Sequence, residues 1–478
     1  MNQPETASVI SSSAEVSSAE YFAQRQLKQG TVGWLLLIGL GVAYVISGDF
    51  AGWNFGIAQG GWGGMFIATA LAALMYLCLC LSMSEMSTMM PTAGGGYSFA
   101  RAAFGPFGGY LTGTAILIEY AIAPAAIAVF IDGYCESLFG INGWMIYLAC
   151  YAIFMGIHLK GAGEALKIMF AITLVAAVAL VVFIGAMIPH FNAQNLFDIP
   201  VSTGVGASLF LPHGYLGIWA AVPFAIWFFL AVEGVPLAAE EAKDPAKSLP
   251  RGLIGAMLIL TAFAMLILFL GAGAAGASTL QNSGAPLVDA LVKVYGTNTW
   301  LATFVNFVGL AGLIASFFSI IYAYSRQIFA LSRAGYLPTS LSLTNKNKAP
   351  YLAIIIPGII GFLLSLTKEG DSLILIAVFG ATISYVLILL SHIKLRLSKP
   401  DMPRPYKTPG GIITSSIALV LAVAAVVAGF VVNPKVWFIA AGIYVAFIAY
   451  FLFYSRYHLV KGTPEEEFAN IKAAEQEL

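Results

Sequence analysis

"YVISGDFAGWNF" (44–55) interrupts an apolar run that otherwise reads as lipid-buried helix, and its reading decides the fold. Asp49 stands there with a glycine on either side, Gly48 and Gly52. A carboxylate near the middle of a membrane costs about 2.5–3.5 kcal/mol on insertion scales, so it is kept where a cavity or a partner offsets that cost. A second interruption, "AIWFFLAVEGVP" (225–236), puts Glu233, Gly234 and Pro236 into the second half of another apolar run. Glycine lowers helix propensity and Pro236 cannot donate to the carbonyl four residues earlier, so the helical ladder is expected to open at or before these points. Opened backbone is tolerated at membrane depth only around a cavity or against other protein.

The surrounding chain explains why membrane depth is the relevant setting. Of 478 residues, 59% are hydrophobic and 10% charged, far below the quarter usual in soluble domains. Apolar runs near the length that crosses a bilayer recur at 34–58, 63–85, 107–131, 142–159, 165–188, 215–239, 253–277, 301–327, 351–367, 371–392, 412–432 and 435–455, which predicts an all-α polytopic protein of twelve transmembrane helices. The two interruptions fall in spans 1 and 6, at corresponding places in two blocks of five spans. An odd number of spans separates them, so the blocks run in opposite senses. That arrangement points to an inverted-repeat secondary transporter whose site lies where the discontinuous helices meet. The expected organisation is a cytoplasmic N-terminal tail (1–29), a first five-helix repeat (30–200), an inverted second repeat (201–398), two peripheral spans (399–457) and a cytoplasmic tail (458–478).

Charge and composition narrow the function. With an inside N-terminus, all but Lys293, Lys368 and Lys435 of the 23 basic residues fall in inner loops or tails, the asymmetry expected of cytoplasmic segments. Zero formal net charge argues against nucleic acid as a partner. Residues 1–20 are rich in Ser, Ala and Glu and lack a basic n-region, so a disordered tail is expected and not a cleavable signal. Cys78, Cys80, Cys135 and Cys150 lack zinc spacing, and the five histidines are scattered singly, which leaves no metal centre and no cofactor to expect. HExxH and nucleophile–base patterns are absent from the sequence, which argues against an enzyme, and a channel would want a repeated ring of pore charges instead of two mismatched breaks.

Four longer motifs carry a resemblance. "PTAGGGYSFARAAFGPFGG" (91–109), "FFLAVEGVPLAAEEAKDPAKSLPRG" (228–252), "AYSRQIFALSRAGYLP" (323–338) and "RPYKTPGG" (404–411) resemble, in order, the signatures of the amino acid, polyamine and organocation (APC) transporter superfamily. Within it, "GLGVAYVISGDFAGWNFG" (39–56), "TGTAILIEYAIAPAAIAVFI" (112–131) and "WFFLAVEGVPLAAEEAKDP" (227–245) are similar to the ethanolamine permease branch. The resemblance implies a LeuT-like fold of five-plus-five inverted repeats followed by two peripheral helices, alternating access, a bacterial inner membrane, and uptake of ethanolamine or another small organic amine with a proton. An amino acid or polyamine carrier or exchanger is the alternative; a membrane sensor that only binds is a remoter one. The lipid bilayer is the expected environment, and a monomer or a homodimer the expected state.

Site candidates follow from both sources. Amino acid carriers of the superfamily bind the substrate carboxylate on free amides at the first break, where a glycine-serine-glycine pattern is usual. This chain departs from that pattern with Ser47, Gly48 and Asp49. A ligand without a carboxylate would need its counter-charge from the protein, and Asp49 can supply it at the N-terminus of a half-helix; as a plain helix cap it would serve structure alone. The expected substrate set is Ser47, Gly48, Asp49, Phe50, Trp227, Phe229 and Ala231. Its aromatic members, with Tyr44, can hold an ammonium against ring faces or be ordinary packing. Glu233 is the expected proton-coupling group, with Glu119 in "LIEYAIAP" (117–124) as a cavity or scaffold carboxylate beside it. A hydrogen bond to broken backbone would be the bland role of Glu233. Sodium coupling would instead use Ser316 and Ser319 in "LIASFFSIIYAYSRQ" (313–327). Glu85, Glu240, Glu241 and Asp244 lie near Lys243 and Lys247 and read as solvated or gate-lining ion pairs. A reporter that fluoresces only in the cytoplasm is expected to glow when fused to either terminus, and a dark C-terminal fusion would break the even span count.

Overall fold

The computed structural model describes residues 27, 30, 32–297 and 299–460, with the side chains of 162–166 excepted. The expected tails 1–29 and 458–478 lie outside these residues apart from 27 and 458–460. Helices form α1 (Trp34–Val45), α2 (Ser47–Phe50), α3 (Asn54–Met89), α4 (Gly96–Phe139), α5 (Trp144–Leu159), α6 (Ala162–Met187) and α7 (Gly214–Trp227). After a 3-10 helix, Val232–Glu241, come α8 (Pro245–Ala275), α9 (Ala277–Leu280), α10 (Pro286–Tyr295), α11 (Trp300–Arg333), α12 (Tyr351–Ser365), α13 (Gly370–Ser398), α14 (Ile412–Val432) and α15 (Pro434–Phe453). Among the described residues nine helical segments are long and apolar enough to cross a membrane, and α1, α5 and α12 are shorter apolar helices. A helix stands in each of the twelve predicted apolar runs.

Both interruptions are real breaks. The first run stays helical through Ser47–Phe50 and opens at Ala51, whose φ of −158° and ψ of 158° are extended. Gly52 follows at φ +96°, a left-handed conformation that glycine adopts without a side-chain penalty. The chain then resumes as the start of α3 and bends at Gly61 (φ 68°, ψ 176°), so 54–60 completes the first run and the second begins after the bend. In the sixth run α7 stops at Trp227, Ala231 takes φ +78°, and the chain restarts as the 3-10 helix that contains Pro236. A non-glycine residue held there stores about 1–3 kcal/mol of strain, which packing around it must offset.

Around these breaks α4 and α11 are long, mostly buried columns, α13 packs along α4, and α7 packs along α3. Gly380 brings α13 so close to α4 that an added Cβ would lie 2.5 Å from the Ala115 carbonyl oxygen and 2.8 Å from the Glu119 amide.

The charged knots depart from the sequence reading. Asp244 and Lys247 do form an exposed pair at 3.3 Å. Glu85, however, is fully buried and pairs with neither Lys243 nor Lys247. Its carboxylate accepts from Arg396 Nε at 2.9 Å and Nη2 at 2.5 Å, from Arg404 Nε at 2.9 Å and from the Thr408 amide at 2.7 Å. Arg404 and Thr408 belong to "RPYKTPGG", so that motif is an arginine-and-amide clasp that fastens the loop before α14 onto α3 and α13. Its partner is one carboxylate, 319 or more positions away in sequence, which no local pattern reveals. Breaking a buried ion pair by deleting one side costs about 3–5 kcal/mol, so Glu85→Ala is expected to lower the Tm of the purified protein in detergent markedly.

Candidate functional site

The two breaks touch. An added Cβ on Gly48 would lie 2.5 Å from the carbonyl oxygen of Trp227, so glycine here allows backbone of the first break to pack directly on the end of α7. Trp227 returns across the contact and donates from Nε1 to the Ala51 carbonyl at 3.0 Å. Tyr134 of α4 donates to the Phe50 carbonyl at 3.0 Å, and Asn54 accepts from the Gly52 amide at 3.2 Å while donating to the Leu280 and Ser283 carbonyls. The carbonyls and amide released by the open backbone are thereby satisfied, as a site without bulk water requires.

Ser316 closes the remaining gap. In an unbroken helix the Ser47 amide would reach the Ala43 carbonyl. Instead it donates to Ser316 Oγ at 3.0 Å, and that hydroxyl donates toward the Ala43 and Tyr44 carbonyls at 2.7 and 3.0 Å. A side-chain hydroxyl inserted into the ladder is a recognised cause of a helix bend. Among the described residues Ser319 bonds only carbonyls of its own helix, Ala315 at 2.8 Å and Ser316 at 3.0 Å.

Beside this contact Tyr44, Val45, Ser47, Trp227, Leu230 and Ile320 line a narrow crevice that is closed to a water-sized probe in this conformation. Of the predicted substrate residues, the structure places Ser47 and Trp227 on the crevice, with Gly48 behind Trp227. Phe50 points to α11, where an added Cβ on Gly312 would strike its ring at 2.4 Å. Phe229 faces Tyr76, with ring centroids 5.5 Å apart, and Ala231 marks the second break. Asp49, two residues past Ser47, is fully buried, and among the described residues neither carboxylate oxygen has a hydrogen-bond partner.

Glu233 Oε1 accepts at 3.3 Å from Tyr120, the neighbour of Glu119 in α4 and 113 positions away in sequence, and Glu119 and Glu233 are both buried. Tyr76 and Tyr385 hydroxyls lie 2.7 Å apart at the edge of this cluster. Sequence reading did not single out Tyr76, Tyr120, Tyr385, Tyr134 or Asn54. A tyrosine inside an apolar helix carries no mark that separates packing from hydrogen bonding, whereas Asn54, polar at membrane depth, carried a usable signal.

A second set of carboxylates ties the end of the sixth run to α11. Arg326 meets Glu241 at 3.1 Å, Tyr322 hydrogen-bonds the same carboxylate, and Arg333 meets Glu240 at 2.6 Å. Glu240 also accepts from the Ala93 amide at 2.9 Å, within "PTAGGG". Val32 bridges backbone to Glu241 and Lys243, so the chain just before α1 is sewn to the same knot.

Among the described residues nine helical segments long and apolar enough to cross a membrane surround the contact between the two breaks, the build of a multi-pass membrane protein. Residues 3–453 match the family described as "Amino acid permease". The chain therefore belongs to that family, within the amino acid, polyamine and organocation superfamily, and is a transporter and not an enzyme. It is 28% identical over 451 residues to a branched-chain amino acid permease of Bacillus subtilis, covering 89% of this chain and 92% of that one. It is 27% identical to an uncharacterized transporter of Rhizobium meliloti (80% and 83% covered). An aromatic amino acid transport protein of Escherichia coli is 25% identical (79% and 84% covered).

Ser316→Ala strands the Ser47 amide and its two carbonyl partners and is expected to cost about 1–3 kcal/mol. Ser319→Ala removes only bonds within one helix. Thermal unfolding in detergent should therefore separate the two variants, with the Tm of Ser316→Ala clearly the lower.

Proposed function

We propose that the chain is a secondary active transporter that carries a small apolar amino acid by alternating access, in symport with a proton. The crevice between the breaks carries this reading: it is lined by Ser47 and Tyr44, which carry hydroxyls, and otherwise by apolar or aromatic faces, which suits an amino acid with an aliphatic side chain. The names of the relatives, branched-chain and aromatic amino acid carriers, support the same substrate class better than they support ethanolamine. Twelve spans arranged as two inverted five-helix repeats and a peripheral pair, in a bacterial inner membrane with both termini cytoplasmic, complete the proposal.

One observation favours the ethanolamine reading as the second. Asp49 holds a buried carboxylate without a protein partner close to the crevice, the counter-charge that an amine lacking its own acid group would need. For the coupling ion, Ser316 is engaged with span 1 backbone and Ser319 with its own helix, which favours a proton handled by Glu233 and Glu119 over a sodium ion on these hydroxyls.

Uptake into proteoliposomes tests these readings together. Radiolabelled leucine or valine should accumulate under an inward proton gradient, survive replacement of sodium by choline, collapse with a protonophore, and resist competition by ethanolamine. Uptake of ethanolamine alone would replace the first reading by the second. A hydrogen bond to a charged group is worth about 1.5–3 kcal/mol, so Asp49→Asn is expected to raise the KM for the amine-bearing substrate about tenfold or more. An unchanged KM would remove Asp49 from the site.

A further inference from the structure

We infer that residues 455–460, just past the end of α15, are a releasable clip on the turn that closes α11, and that the clip holds Arg333 against Glu240 and so keeps the knot at the end of the sixth run shut. The clip stands on contacts alone; only its consequence for access to the crevice rests on the alternating-access reading.

The turn is built to receive it. Gly335, at φ +83°, donates its amide to the Ser332 carbonyl at 3.0 Å, and the Tyr336 amide donates to the Leu331 carbonyl at 2.9 Å. This Schellman arrangement satisfies two of the carbonyls that a helix leaves over at its C-terminus. Two further carbonyls of the turn are met by the chain after α15: the Val460 amide donates to Ala334 at 3.1 Å and the Ser455 hydroxyl to Tyr336 at 2.7 Å. Backbone lies directly on backbone here, because an added Cβ on Gly335 would collide with the His458 carbonyl oxygen and stand 2.9 Å from the Val460 amide nitrogen. The buried Tyr336 ring packs among Tyr97 and Tyr110 of α4 and Phe451 of α15, and Arg101 of α4 hydrogen-bonds its hydroxyl.

One peptide bond separates the clip from the knot. Ala334, whose carbonyl the clip takes, directly follows Arg333, whose guanidinium meets Glu240 at 2.6 Å. Glu240 also accepts from the Ala93 amide, while Glu241 accepts from Arg326 through its side chain and from the Val32 amide through its carbonyl. A last turn of α11 that is free to rotate carries Arg333 with it. The segments before α1, before α4 and at the end of the sixth run then lose a shared fastening.

The clip belongs to an element that can let go. Of the 20 residues of α15 only Val436, Trp437, Ala440 and Phe451 are buried, whereas α11 is buried over most of its length. Among residues 455–460 only Ser455 is buried. Segments with few buried contacts open locally at small cost, so the segment that completes the turn is easily withdrawn from it. A peripheral helix thereby gains a hold on the knot that ties the sixth run to α11.

Hydrogen exchange read by mass spectrometry on the purified protein tests the clip at a distance from itself. Ser455→Ala, and truncation after Tyr454, should speed amide exchange around 90–95 and 239–243 as well as around 331–338, by about fivefold, the factor that one lost hydrogen bond is worth. Truncation after Val460 should leave those segments at wild-type protection. Ser455→Ala, the milder change, decides should the shorter chain not fold. Faster exchange confined to 331–338 and 454–460 would overturn the inference, as would equal loosening by both truncations. For the crevice, Ser47→Cys in the same backgrounds is treated with a membrane-impermeant maleimide from the face at which α11 ends, and labelling above the wild-type background should quicken when the clip is broken. Unchanged labelling alongside faster exchange at 90–95 and 239–243 would sink the consequence for access and leave the clip standing.

Discussion

A helix broken inside a bilayer must find a partner for every amide and carbonyl that it exposes, because lipid offers none. Here the partners come from four other elements at once. Ser316 of α11 enters the first break, Tyr134 of α4 caps the Phe50 carbonyl, Trp227 of the sixth run reaches Ala51, and Asn54 ties the restart of the chain to the α9 region. The breaks are possible only because α4 and α11 stand beside them, and the positions of those columns are in turn held by the contacts at the breaks. The crevice is what this mutual dependence leaves over.

Buried carboxylates divide into two kinds by what faces them. Glu85, Glu240 and Glu241 each meet arginine and further donors, and each joins segments distant in sequence: the "RPYKTPGG" loop to α3, "PTAGGG" to the sixth run, the sixth run to α11. These are fasteners whose charge is met by charge. Asp49, Glu119 and Glu233 lie near the breaks without arginine or lysine partners among the described residues. A buried polar group that its fold does not compensate is costly, and this distinction, more than burial or residue type, is what separates the two kinds.

Much of this was legible beforehand. The apolar runs, the two interruptions and the three mid-membrane carboxylates stand out because polar and helix-breaking residues are rare where water is absent. Ser47 was singled out for that reason and Trp227 by the family resemblance, and the structure sets both beside the crevice; Ser316, singled out for its hydroxyl, bonds backbone of the first span. The aromatic residues were less legible: Phe50 and Phe229 share the composition of any membrane helix, and their direction depends on neighbours hundreds of residues away, Gly312 in one case and Tyr76 in the other. Glu85 read as a solvated end-of-helix charge because nothing local announces Arg396 and Arg404.

By itself, then, the sequence determined where the chain must be helical, where those helices must fail, and which few groups are too costly to be incidental, since each of these follows from the local balance between apolar surface, backbone hydrogen bonding and desolvation. Tertiary structure alone decided which broken backbone meets which hydroxyl, which glutamate receives an arginine and which receives a tyrosine. Those choices depend on distances of a few ångströms between residues separated by tens to hundreds of positions, and only packing sets such distances.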